Sequence, residues 1–260
     1  MANEPWIARI GWLNWADGAT LTALHPGPAT LGVDRLKIIY TGQYHEQTGT
    51  ELAVRLSFAE PKPVDAVVFP MVNATSAATM RVRANSRADM AGTSLYNYTG
   101  TANVDPAINY AIHLLPSTVT AQHWEVAVTD PSLSVSRAGR LVVMPLHRFA
   151  NNFRPDWNRA WEDISDEREG DDGTMYAKEK PKRRVFTCDF GFLTRAEADD
   201  VALEIERVVG KTRDVLLVAR PNAPNLGKYT IWGKPLDAGG VSQPNFRVFT
   251  KQFKIKERRR

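Results

Sequence analysis

The sequence predicts a mainly β protein, a β-rich α+β chain, built as two domains with a charged hinge between them. Three observations predict it. The first half is a succession of short apolar segments closed by prolines, with no amphipathic helix of any length before residue 150. The second half holds one capped, apolar-striped helix among further strand-like segments. Between the halves the charge switches abruptly from acidic to basic. At 260 residues the chain exceeds the usual size of one domain, and each half is long enough to bury its own core. The divisions expected are a β-sandwich over 1–150, a hinge over 151–184, and a small split-barrel-like β domain with one packed α-helix over 185–260.

In chain order, Leu52–Phe58 alternates as a half-buried strand and is expected to stop at Pro61 and Pro63. Val64–Phe69 is a nearly continuous apolar run, the pattern of a strand covered on both faces. Thr79–Ala84 alternates cleanly, with Met80, Val82 and Ala84 on one face and Arg81 and Arg83 on the other. Ser86–Ile108 reads as a long loop rich in small residues. Trp124–Thr129 and Arg140–Met144 complete the strands of the sandwich, and Trp124 is expected in its core.

Phe153, Trp157 and Trp161 recur every four residues, as on a short helix or a packed turn. The acidic run from Glu162 to Asp172, broken by Gly170 and Gly173, and the basic cluster Lys178–Arg184 then form the hinge. In the second half Phe186, Cys188 and Phe190 share one strand face. Thr194 and Glu197 have capping-box spacing, and Ala198, Val201, Ala202, Ile205, Val208 and Val209 form one stripe ending at Gly210. Strands are expected at 214–219, 229–233 and 246–255, with a turn at Gly239–Gly240.

The composition is that of an ordinary globular protein, 43% apolar and 24% charged, with a net charge of +4. No stretch approaches the length of a membrane span, and the Met1–Trp6 start lacks the basic and apolar regions of a secretory signal. A soluble chain made in a reducing cytoplasm is therefore expected. The single cysteine, Cys188, excludes an intrachain disulfide and a multi-cysteine metal site, and its place on an apolar face suits the core. His25, His45, His113, His123 and His147 show no ligand spacing, and the acidic run lacks the alternating oxygen ligands of a calcium loop. No nucleophile elbow, phosphate loop or dinucleotide fingerprint occurs. The expectation is binding and assembly rather than catalysis, with no metal and no cofactor.

Two sets of residues are candidates for binding. Tyr96, Tyr98 and Tyr110 offer flat apolar faces with polar tips, suited to stacking on sugar rings or equally to packing; Trp124 offers a fourth such face, for which packing in the core is favoured. Glu162, Asp163, Asp166 and Glu167, with Lys178, Lys180, Lys182 and Arg183, can pair within the chain or with a neighbouring subunit. Lys178–Arg184 and Arg258–Arg260 could also attract nucleic acid, but the adjacent acids repel phosphate and disfavour that partner.

The segments from Thr79, from His123-Trp124-Glu125-Val126 and from Gly139-Arg140-Leu141 resemble galactose-binding-like, discoidin-type jelly rolls. The second half, from Phe186 through the Thr230-Ile231-Trp232-Gly233 motif to the spaced phenylalanines of 246–253, is similar to baseplate and distal-tail proteins of long-tailed bacteriophages. The joint resemblance covers about residues 35–255 and implies a structural protein of a virion tail tip, made in the host cytoplasm. It implies a C-terminal part that joins copies of itself in a hexameric ring and contacts other tail and baseplate proteins. An N-terminal sandwich would decorate the outside. The alternative is a carbohydrate-binding module that recognises a bacterial surface glycan. The family's sugar and calcium positions have no match here, so none is assigned.

Overall fold

A computed structural model describes residues 7–40, 42–169, 171–210, 212–237 and 240–259. Met1–Trp6, Gly170, Gly239 and Arg260, which figure in the sequence expectations, lie outside these residues. The protein is mainly β, with sheets that do not close into a ring. The chain forms two compact units, Met1–Arg148 with Leu217–Thr230, and Phe149–Leu216 with Ile231–Arg260. The segment 217–230, expected in the C-terminal domain, thus clusters with the N-terminal residues.

The first unit contains β1 (Arg9–Gly11), β2 (Thr20–Ala23), β3 (His45–Thr48), β4 (Glu51–Pro70) and β5 (Thr79–Asn85). It continues with β6 (Tyr96–Thr101), β7 (Tyr110–Thr129), β8 (Val135–Ala138), β9 (Val142–Met144) and β10 (His147–Arg148). The principal sheet has the order β2-β4-β7-β5-β6, with β9 also pairing with β4. Strands β3 and β8 form a separate pair.

Strand β4 does not stop at Pro61 and Pro63 as its prolines suggest; it runs for 20 residues alongside β7. The ladder shifts register between Ser57 and Lys62 and again between Val64 and Ala66. The prolines sit in and beside this irregularity, where a missing backbone donor costs least. Leu52, Val54 and Leu56 before the shift and Val64, Val67 and Phe69 after it bury themselves in one core. The register shifts let the stretches on either side of them face one core. Trp124, Val126 and Val128 of β7 and Met80, Val82 and Ala84 of β5 complete the core, as their alternation predicts. The expected 86–108 loop is interrupted by β6, whose Gly, Asn and Thr residues hide the strand pattern.

The second unit contains β11 (Asn158–Glu162), β12 (Asp166–Glu169), β13 (Met175–Lys178) and β14 (Arg183–Leu193). β15 (Val215–Val218), whose four residues are all buried, has only Val215 and Leu216 in this unit; β16 (Thr230–Asp237, in this unit from Ile231), β17 (Ser242–Asn245) and β18 (Val248–Glu257) follow. Antiparallel pairing gives the order β16-β18-β14-β11. Phe186, Cys188 and Phe190 of β14 and Phe253 and Ile255 of β18 are buried, as alternation requires. Gly233 ends the Thr-Ile-Trp-Gly motif for a steric reason: a Cβ there would lie 2.0 Å from the Lys256 carbonyl oxygen.

The capping box forms. The Thr194 amide donates to Glu197 Oε2 at 2.8 Å, and the Glu197 amide donates to Thr194 Oγ1 at 3.2 Å. A π-turn over Glu197–Ala202 leads into α1 (Leu203–Val209), which ends at Gly210 with φ 50°. Ala198, Val201, Ala202, Ile205 and Val209 are buried, whereas Val208 is only half-buried.

The region 151–184 is not a bare hinge. β11 is an edge strand on β14, and β12 and β13 form a hairpin that turns through Gly173 at φ 77°. Phe153 and Trp157 pack against Phe186, with Trp157 stacked on it at 5.3 Å between centroids. Trp161 is exposed, because its strand is extended and the four-residue spacing is not helical.

Candidate functional site

The three candidate tyrosines belong to the sandwich. Tyr110 opens β7 and is only 1% exposed, so it has no face for a ligand. Cross-strand register puts Tyr98 beside Val82 and Tyr96 beside Ala84, on the core side of β6. Tyr98 stacks on His113 with ring centroids 3.8 Å apart, and Tyr96 Oη shares a 2.7 Å hydrogen bond with His113 Nε2. The Tyr98 hydroxyl donates to the Thr101 carbonyl at 3.2 Å. Burial holds the His113 pKa down at about 4 and raises the Tyr96 phenol above its ordinary value. This trio is a packing cluster.

The charged candidates mostly find partners inside the second unit. Asp163 pairs with Lys182 at 3.3 Å, Asp166 with Lys180 at 2.6 Å, and Glu162 with Lys256. Glu167, Lys178 and Arg183 make no ion pair among the described residues, but register sets Lys178 opposite Asp166 and Arg183 opposite Glu162. The acidic and basic runs are thus antiparallel neighbours within one chain. The basic tail is also engaged: Arg258 Nε donates to Asp214 Oδ1 at 2.9 Å, and the Arg259 guanidinium lies 5.2 Å from the Trp161 ring centroid. Cys188 is 1% exposed, and burial pushes its thiol pKa far up. Among the described residues no three His, Cys, Asp or Glu side chains converge as metal ligands, and no helix is long and apolar enough to cross a membrane.

Two places on the first unit do gather polar groups toward solvent. One is the outer face of the principal sheet. There β7 Glu125 lies in register between β4 Arg55 and β5 Arg83. Its carboxylate accepts from Arg55 Nη2 at 2.9 Å and is 3.3 Å from Arg81 Nη2 and 3.7 Å from Arg83 Nη1. Sequence alternation marks Arg81 and Arg83 as outward, but Arg55 and Glu125 join them only through strand pairing.

The other is a cleft of about 370 Å³, at the small end of the ~300–1,000 Å³ typical of ligand pockets. Arg220, Asn222, Ala223, Pro224, Asn225, Lys228 and Tyr229 line it. The loop closes at its neck, where the Ala219 amide donates to the Tyr229 carbonyl at 2.8 Å. Buried Leu226 in the short helix α2 (Leu226–Tyr229) anchors it. The loop lies against the sandwich turn at Asn103–Asp105, where Asn225 Nδ2 contacts Asp105 Oδ2 at 3.4 Å. The Arg220 guanidinium lies 4.9 Å from the Tyr229 ring centroid, which fixes an aromatic and a cation together at the cleft. No local pattern in the sequence marks residues 220–229 as a concave wall.

No family model matches the chain, and no curated protein matches it. Solved structures similar to it include a chitosan-binding module of a chitosanase/glucanase from Paenibacillus sp. IK-5, at 14% identity and a TM-score of 0.41. That match covers 51% of this chain and 99% of the module. A family 32 carbohydrate-binding module from Clostridium perfringens NanJ, in complex with galactose, is 8% identical with a TM-score of 0.42. That match covers 52% of this chain and 99% of the module. A Ruminococcus gnavus GH29 fucosidase in complex with fucose is 14% identical with a TM-score of 0.40. There 52% of this chain is covered but only 27% of the fucosidase.

Proposed function

We propose that this protein is a non-catalytic recognition protein whose N-terminal sandwich binds carbohydrate in the 220–229 cleft. The observation that carries the reading is the lining of that cleft. Asn222 and Asn225 supply amides that both donate and accept, as sugar hydroxyls require. Arg220 and Lys228 add charged donors, and Tyr229 and Pro224 give apolar surface for a ring's C–H face. No paired acid and base or activated nucleophile accompanies them in the lining, so the chemistry is recognition without turnover. A glycan array probed with the whole chain tests this. Binding to a defined saccharide set is expected; a blank array with a correctly folded protein sinks the reading.

A second reading, a self-assembling structural component such as a phage tail-tip protein, is favoured by two hairpins of the second unit. Every residue of β12 and β13 is exposed, including Met175 and Tyr176, and Phe246 beyond β17 is 99% exposed. A two-stranded hairpin without a covering layer is marginal alone, and such elements gain stability by docking. Light scattering and negative-stain images of the concentrated protein decide it, by rings or by monomers.

A further inference from the structure

We infer that the outer face of the principal sheet is a second binding site, in which Arg55, Arg81 and Arg83 hold a carboxylate of an acidic polysaccharide. Strand register builds a straight row across four strands: Asn97 on β6, Arg83 on β5, Glu125 on β7 and Arg55 on β4. At ~4.8 Å per strand the row is about 14 Å long, enough for more than one sugar unit. Arg81 lies one step along on the same face.

The charges do not cancel. Three guanidiniums face two carboxylates, Glu125 and Glu51, which leaves one positive charge in excess. Glu51 is further shared with His25 at 2.6 Å and Thr129 at 3.2 Å. Acceptors are also short: the Nε atoms of Arg55 and Arg81 are buried without a hydrogen-bond partner among the described residues. The side chains of Arg55, Arg81 and Arg83 are 30%, 39% and 29% exposed, so they reach solvent.

The forks are held in place before any ligand arrives. Arg55 Nη1 donates to the Ala88 carbonyl at 3.4 Å and Arg83 Nη2 to the Met90 carbonyl at 3.3 Å. Glu125, 5% exposed, orients them from beneath. A planar fork with spare donors matches a carboxylate, and exposed Asn97 adds an amide for neighbouring hydroxyls. Nucleic acid fits less well, because its binding draws on many cations along a backbone rather than one spare charge. The site shares no residue with the 220–229 cleft, so it stands whether or not the cleft binds sugar.

The test is affinity electrophoresis of the whole chain through gels containing polygalacturonate, with neutral dextran and oligothymidylate as separate arms. Retardation by polygalacturonate alone is expected. Arg81→Gln and Arg83→Gln should each weaken it about tenfold, the worth of a charge-assisted hydrogen bond. Arg81→Lys should not restore it, since the charge remains but the fork is lost. Arg137→Gln, which removes the same charge elsewhere on the sandwich, should stay within about twofold of wild type. Thermal melts establish that the variants fold. The inference is overturned by no retardation, by an equal loss in Arg137→Gln, or by equal retardation in oligothymidylate.

Discussion

The ring of Tyr98 lies on the imidazole of His113, with centroids 3.8 Å apart and planes 22° from parallel. The stack, with the Tyr96 hydrogen bond, closes one margin of the sandwich core and explains why His113 is 6% exposed.

That burial makes the sandwich acid-sensitive. The folded-state pKa of His113 is about 4, below its ordinary 6.5, so the unfolded chain takes up the proton first as pH falls. Stability from this residue is therefore complete above about pH 6.5 and is lost between there and about pH 4. The interval corresponds to roughly 3 kcal/mol. Urea titrations from pH 7 to pH 4 should show the decline in the wild type and a flatter profile in His113→Phe.

In the second unit Arg184 Nη2 and Glu257 Oε1 are 2.5 Å apart, and the Glu257 side chain is fully buried. Glu257→Ala leaves a nearly buried guanidinium without its counter-charge, which should cost about 3–5 kcal/mol. Glu257→Gln keeps the volume and should cost less. Chemical denaturation followed by tryptophan fluorescence separates the two.

The capping box gives a smaller, graded pair. Thr194→Ala should cost about 1 kcal/mol. Glu197→Ala should cost more, about 2 kcal/mol, because Glu197 is buried and also accepts from the Ala150 amide at 2.6 Å. Equal losses in a denaturant titration would contradict the role given to the Ala150 contact.

Elements with clean periodicity were legible in the sequence. Strand β5, the end of β7, the Phe186–Phe190 face and the capped helix all follow from side-chain period and cap chemistry. The β12–β13 hairpin was not, because β12 is charged throughout and the apolar residues of β13, Met175 and Tyr176, are adjacent rather than alternating and both exposed. Its only signals are complementary charges on either side of a glycine turn, and these read equally well as a solvated linker. For Tyr96 and Tyr98 the sequence left packing and ligand stacking equally open, for a related reason. Their side of β6 is fixed by register with Val82 and Ala84, which no local pattern contains. The cleft depends on the 217–230 segment joining the N-terminal residues, a placement made by tertiary contacts alone.

Recognition of carbohydrate at the 220–229 cleft is tested most directly by calorimetric titration of the whole chain with a saccharide retained on the array. Wild-type protein should bind it saturably, and Asn222→Ala with Tyr229→Ala together should weaken binding at least tenfold, about 1.4 kcal/mol. The arginine-face variants should leave that titration unchanged. Undiminished affinity in the Asn222/Tyr229 double variant, with its fold intact, would contradict the account.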